Sequence, residues 1–193
     1  MSVEAVTNPR RERVDAARNR AKILAAAAEI VSVHGVEGLA MAEVAAAAGV
    51  GVGTLYRRFG DRSGLAYALI DEREREFQSA FIEGPPPLGP GADPVTRIRA
   101  FLHALTDRTV EQLDLLLMAE TASPFARFGG AYDGYHAHLS MLIGQADPTA
   151  DAYVLADQLL APLAAPLLAH RLRTCGVTVD RVKSALDHLL PLR

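Results

Sequence analysis

Residues 42–65 read AEVAAAAGVGVGTLYRRFGDRSGL, and the fold turns on how this stretch is parsed. Met41, Val44, Ala45 and Ala48 recur at helical spacing, and Gly49 ends that segment, as glycine does where a helix closes in a left-handed turn. Three residues, Gly49-Val50-Gly51, separate it from a second short helical segment, Val52–Phe59. Turned at about 100° per residue, Val52, Leu55 and Phe59 share one narrow arc and are the expected packed face. Gly53, Thr54, Arg57 and Arg58 fall opposite, with Tyr56 on the flank. The outward face therefore carries two guanidiniums, a hydroxyl and a phenol, and no acid. Two short helices joined by a tight glycine turn are the pattern of a helix-turn-helix unit. Guanidiniums on its second helix suit phosphates and base edges, and Arg can pair bidentately with guanine in a major groove. On composition alone, the same face also describes a solvated surface helix.

Upstream, Ile23, Leu24, Ala27, Ile30 and Val31 predict a helix from Arg18 to His34, closed by Gly35. Residues 1–17 read as a mobile arm. Arg10, Arg11, Arg13, Arg18 and Arg20 give it and the helix start a basic character of the kind that reaches a minor groove, a solvated tail being the other reading. Downstream, Asp61 or Ser63 can cap a longer helix ending near Glu83. Its apolar positions are Leu65, Leu69, Phe77, Phe81 and Ile82. DEREREF, residues 71–77, reads as a solvated face, because opposite charges stand three and four apart. GPPPLGPGADP, residues 84–94, holds five prolines and three glycines, a composition no helix survives. Further helical stretches follow at 94–108, 111–121, 123–145 (weakened by Gly129, Gly130 and Gly134), 149–174 and 179–190. The expectation is an all-α chain of about nine helices.

Composition agrees. Of 193 residues half are apolar, 22% are charged and 34 are alanine, a globular, helix-favouring balance and not that of an extended sheet. Cys175 is the single cysteine, which excludes an intrachain disulfide framework and a cysteine-based zinc finger. The longest apolar run, 159–169, is 11 residues, short of the ~18 that suggest a membrane span. The start is polar and Arg-bearing and lacks the apolar core of a signal peptide. A cytoplasmic protein with no membrane partner is expected. Residues 1–62 carry nine basic and seven acidic groups (+2), and 63–193 carry 11 and 16 (−5), so a basic face belongs to the first third.

No enzyme pattern stands out. His136 and His138 are two apart and point to different sides of a helix. His103, His170 and His188 have no histidine or cysteine at ligand spacing, and GVGVG, residues 49–53, lies between helices and not after a strand. Ser123 and Cys175 lack a nucleophile motif. No catalytic residue, metal or cofactor is expected.

Residues 19–65 resemble the DNA-binding domain of the tetracycline-repressor (TetR) family of bacterial transcription regulators. Ala48-Gly49-Val50, Gly53-Thr54-Leu55-Tyr56, Phe59 and Leu65 carry the resemblance. It implies an arm over 1–17, a DNA-binding domain over 18–62 with its helix-turn-helix at about 40–59, and an effector-binding and dimerisation domain over 63–193. It further implies a homodimer, most often a repressor, on a palindromic double-stranded operator, with half-sites about 34–36 Å apart. Thr54, Tyr56, Arg57 and Arg62 are the expected operator contacts, with Arg57 or Arg58 reading bases and Gly51 and Gly53 at the close approach. Three positions depart from the family's habit: Ala40 stands where Thr usually caps the second helix, Gly51 where Ser caps the third, and Arg62 where Lys is usual.

The resemblance also implies a pocket for a small-molecule effector in the C-terminal domain. Phe77, Phe81, Phe101, Met118, Phe125, Phe128, Tyr132, Tyr135, His136 and Met141 are the candidate lining, each also readable as plain core. For the dimer interface the candidates are Leu155, Leu159, Leu163 and Leu167, with Val182, Leu186 and Leu189 of the last helix. A helix apolar all round, as 159–168 is, cannot face water on one side. Pro162 and Pro166 are expected to bend it.

Overall fold

The computed structural model describes residues 9–123, 125–128 and 130–190, apart from the side chains of residues 9–14 and of Glu72. Ten α-helices are present among them: α1 Pro9–His34, α2 Met41–Ala48, α3 Val52–Phe59, α4 Arg62–Glu83, α5 Pro94–Glu111, α6 Leu113–Glu120, α7 Ala131–Ala146, α8 Ala152–Leu160, α9 Ala165–Arg173 and α10 Val179–His188. The chain divides into two compact units, Met1–Leu69 and Ile70–Arg193.

The first unit closes around Ile23, Leu24 and Ala27 of α1, Met41, Val44 and Ala45 of α2, Leu55 and Phe59 of α3, and Leu65 of α4, all buried. α1 starts at Pro9, nine residues ahead of Arg18, so much of the stretch read as an arm is helical. Val52 departs from its expected place: it is 43% exposed, because as the first residue of α3 it lies beyond the turn that packs inward. Gly49 closes α2 at φ 67°, the left-handed position that disfavours a β-carbon. Asp61 caps α4, its Oδ1 accepting from the Gly64 amide at 2.9 Å.

The second unit has its own core, with Ile98, Phe101 and Leu102 of α5, Leu139, Leu142 and Ile143 of α7, Leu160, Leu163, Leu168 and Leu186 at its centre. Asp93 caps α5 from Oδ1 to the Thr96 amide at 3.0 Å, ahead of Pro94 in the first turn where proline is tolerated. Two expected helices are shorter than the sequence suggested. Residues 126–128 form only a 3-10 turn, and α7 begins after Gly130 at φ 61°. The 149–174 stretch is broken: α8 ends at Leu160, a 3-10 turn covers Ala161–Leu163, and α9 starts before Pro166, which is why there are ten helices and not nine.

Side chains satisfy the backbone groups at that break. Arg127 Nη2 donates to the Leu160 carbonyl at 2.8 Å, and Glu120 Oε2 accepts from the Ala165 amide at 2.9 Å. Arg127 and Glu120 also pair with each other at 3.0 Å. Among the described residues no single helix is long and apolar enough to cross a membrane. The α8–α9 pair, bent by 41° at the break, matches a span only in summed length and composition.

Candidate nucleic-acid interface

Leu55 and Phe59 set the orientation of α3: both are buried, so the opposite face must point outward. There Tyr56, Arg57 and Arg58 are exposed and Thr54 is partly so. No acid interrupts the helix. Together with Asp15, Ala16 and Asn19 of α1, Thr54, Arg57 and Arg58 line a cleft of about 430 Å³.

The three candidate arginines are not equivalent. Arg58 Nη1 donates to the Ala16 carbonyl at 2.8 Å and so ties α3 to α1. Arg62 Nη2 donates to the Val36 carbonyl, holding the start of α4 to the turn after α1. Arg57, exposed on the same face, makes no hydrogen bond or ion pair with any described residue. Arg20 is also engaged, 5.6 Å over the Phe59 ring. The side chains of Arg10, Arg11 and Arg13, and the arm over residues 1–8, lie outside the described residues.

Gly53 sits inside α3, where glycine destabilises a helix by roughly 0.5–1 kcal/mol relative to alanine. A β-carbon there would meet nothing of this chain within 4 Å, and the same holds at Gly51. Neither glycine is demanded by packing within the chain. Gly51 is the N-cap of α3 and Ala40 that of α2, and neither supplies a side-chain hydrogen bond.

In the second unit the expected pocket residues separate into groups. Phe77, Phe81, Phe101 and Tyr135 pack as one aromatic cluster, with most ring centroids 5.1–5.7 Å apart. Phe125, at φ 65° and 82% exposed, and Phe128 and Met141, also exposed, lie outside the core. Tyr132 donates to Asp157 at 2.6 Å, and burial, helped by that bond, pushes its pKa up to about 12. The His136 ring meets the Tyr153 carbonyl at 3.0 Å, and Met118 is partly buried.

Reasoning from sequence missed Glu74, Arg108 and Gln112. DEREREF is not wholly a solvated face: Glu74 is 6% exposed and pairs with Arg108 at 2.6 Å, while Tyr135 donates to Glu74 Oε2. Burial raises the Glu74 pKa against the lowering effects of Tyr135 and Arg108. The signal was present in the spacing, since Glu74 lies three and seven residues before Phe77 and Phe81, on their stripe.

The expected interface leucines divide in the same way. Leu159, Leu163, Val182 and Leu186 are buried in this chain's own core, Leu155 and Leu167 are half-buried, and Leu189 is exposed. The all-apolar character of 159–168 therefore reflects intrachain burial first. Pro162, Val177, Val182, Leu186 and Leu189 line a groove of about 300 Å³ edged by Arg171 and Arg181. Among the described residues no group of three His, Cys, Asp or Glu side chains could hold a metal ion.

The described residues are all-helical apart from turns and loops, and the second helix of the helix-turn-helix presents an acid-free, arginine-bearing face. Residues 23–69 match the family described as bacterial regulatory proteins, tetR family. An HTH-type transcriptional regulator of Staphylococcus aureus (strain USA300) is 43% identical over 58 residues, which are 30% of this chain. The alignment spans only 31% of that relative's length. A TetR-family regulator from Pectobacterium atrosepticum superposes with a TM-score of 0.68 at 22% identity, covering 92% of this chain and 95% of that one. The regulator AibR, solved in complex with isovaleryl coenzyme A and operator DNA, superposes with a TM-score of 0.59 at 19% identity, covering 89% and 97%. At these identities the likeness concerns the fold.

Proposed function

We propose that the chain is a cytoplasmic, ligand-responsive repressor that binds a palindromic operator as a homodimer and leaves it when a small molecule binds its C-terminal domain. The observation that carries the DNA-binding part is the outward face of α3. Arg57 is unpaired, Tyr56 and Thr54 stand beside it, and Gly51 and Gly53 leave room at its start. Arg57 reads a base edge. Tyr56 and Thr54 contact phosphates, and a sugar-phosphate strand passes over the glycines. Arg58 and Arg62 act from behind: each clamps α3 or α4 to a carbonyl of the first unit, and the rest of its guanidinium adds positive charge.

Dimerisation is required by the geometry of two half-sites. The groove over α9 and α10 with exposed Leu189 supports it there, in place of the buried leucines. AibR, bound to a coenzyme A thioester and operator DNA, is a precedent for a ligand and DNA meeting on this fold.

Duplex binding tests the reading. The purified chain is titrated against its own upstream intergenic DNA at several salt concentrations, with footprinting. The expected result is a protected near-palindrome and an affinity that falls steeply with salt, as phosphate neutralisation demands. Absence of binding at every salt concentration would sink it.

A further inference from the structure

The cleft of the first unit holds one acid among its basic groups. It is lined by Asp15, Ala16 and Asn19 of α1 and by Thr54, Arg57 and Arg58 of α3, and measures about 430 Å³. α3 itself carries no acid. Asp15 and Asn19 stand four apart, share one face of α1, and are both exposed. Asp15 makes no hydrogen bond or ion pair with any described residue, so its carboxylate ties no part of the described fold together. On a surface that meets phosphates a free carboxylate repels them, and an acid with no other role there only weakens binding.

The neighbours of Asp15 give its charge a use. Arg58 Nη1 donates to the carbonyl of Ala16, the next residue of α1, at 2.8 Å. That bond fixes α3 against α1, and with it the separation between Asp15 and Arg57, which line the same cleft. Arg57 is exposed and has no partner among the described residues. A guanidinium carries its N–H donors in one rigid plane. Reading guanine bidentately engages the donors of one edge, through O6 and N7. The adjoining edge keeps donors that a carboxylate accepts in a charge-assisted pair. An unheld guanidinium must be ordered by the base alone, at a cost in side-chain entropy. Of the other polar groups in the cleft, Asn19 and Thr54 offer neutral acceptors and Arg58 is a cation, so Asp15 is the charged acceptor.

We propose that Asp15 is a positioning residue: on operator DNA its carboxylate takes one edge of the Arg57 guanidinium and turns the other edge to a guanine. This rests on the reading of Arg57 as a base contact, and it names the base that Arg57 selects. Asp15 thus lowers affinity for every duplex and raises discrimination at one base pair.

Affinities by fluorescence anisotropy at fixed salt test it on the full-length protein. The proteins are the parent, Asp15→Asn, Asp15→Glu, Arg57→Ala and the double variant of Asp15→Asn with Arg57→Ala. The probes are the duplex that the parent selects from a random-sequence pool, that duplex with each base pair changed in turn, and a scrambled duplex of equal length. Arg57→Ala is expected to relax the preference at one G·C pair of each half-site. Asp15→Asn is expected to relax that same pair by about tenfold, within the range of one bidentate base contact. It also binds the scrambled duplex more tightly than the parent, because one repulsive charge is gone. A merely structural role for Asp15 would instead weaken binding to both duplexes. Asp15→Glu, which keeps the carboxylate, retains the preference. With Arg57→Ala in place, Asp15→Asn has no discrimination left to remove and only tightens the scrambled duplex. Asp15 is exposed, so melting temperatures are expected to stay at the parent's value.

Unchanged preference in Asp15→Asn, relaxation at a different base pair, or an equal loss of preference with and without Arg57 would each overturn the proposal. So would an A·T pair as the one relaxed by Arg57→Ala. A parent that selects no sequence removes the reading of Arg57 and this inference together. A parent that selects one, while Asp15→Asn discriminates equally well, removes this inference alone.

Discussion

Arg57 and Arg108 are the same side chain in opposite surroundings. Arg57 lies on the water-facing side of an eight-residue helix and has no partner among the described residues. Arg108 lies in the core of the second unit, against Glu74 and over Phe77. A free guanidinium in water contributes little to stability and is available to a phosphate or a base. A buried one is tied to its counter-ion, because separating the pair leaves an uncompensated charge. The two units thus hold charge differently, exposed to water in the first and paired in the core in the second. Substitutions at the two sites should separate binding from stability.

The largest effect is expected at Arg108. Arg108→Ala strands the Glu74 carboxylate and should cost about 3–5 kcal/mol of unfolding free energy in urea denaturation. Replacing Glu74 and Arg108 together by Met and Leu should recover most of that loss. A single variant as stable as the parent would mean that the pair is not buried in solution.

His138 supplies a pH test of the same interior. It is buried between Phe81 and Phe101, with ring centroids 4.5 and 5.1 Å away, and burial, helped by Arg97, pushes its pKa down to about 4. Unfolded, the ring takes its proton near pH 6.5. The neutral ring's contribution is therefore complete above pH 6.5 and is lost as the pH falls toward 4, by roughly 2–3 kcal/mol at about 1.4 kcal/mol per unit. Glu74 works in the opposite sense, since its raised pKa makes acid favour the fold above pH 4.5. The difference between the parent and His138→Phe, measured by denaturation from pH 7.5 to 4, isolates the histidine. A difference that does not change with pH would place His138 in water.

Arg57→Ala should reverse the pattern seen at Arg108. Duplex affinity falls by about 1–3 kcal/mol if a bidentate base contact is lost, with relaxed sequence preference at one position. Unfolding free energy should stay within about 0.5 kcal/mol. Arg58→Ala gives a sharper form of the comparison. It removes the bond to the Ala16 carbonyl, so its loss of affinity should be uniform across operator variants and should not relax any one base.

What could be read from the sequence follows the same division. In the first unit, short helices are bounded by glycines and each turns one apolar stripe inward, so spacing alone located α2, α3 and the outward face. It could not tell Arg57 from Arg58, because the acceptor that holds Arg58 is a main-chain carbonyl 42 residues away. In the second unit, the long-range partners decide more. Glu74 and Arg108 look solvated one residue at a time and become core only when α4, α5 and α7 meet. The α8–α9 break was foreshadowed by Pro162 and Pro166, but not its stabilisation by Glu120 and Arg127, which lie on other elements.

Gly53→Ala sets the two kinds of demand against each other within one residue. Free protein has space for the methyl, since nothing lies within 4 Å of the added carbon. Alanine in place of a helical glycine should therefore stabilise α3, raising unfolding free energy by roughly 0.5–1 kcal/mol. If a nucleic-acid backbone passes over this position, the same methyl must be accommodated at the interface, and duplex affinity should fall while the protein becomes more stable. Most losses of function come with losses of stability, so the opposite signs would identify Gly53 as a contact surface and not a packing compromise. Denaturation and duplex titration on one preparation read both. Gains in both, or an unchanged affinity, would move the DNA away from the start of α3 and leave Arg57 to be approached from the α1 side of the cleft.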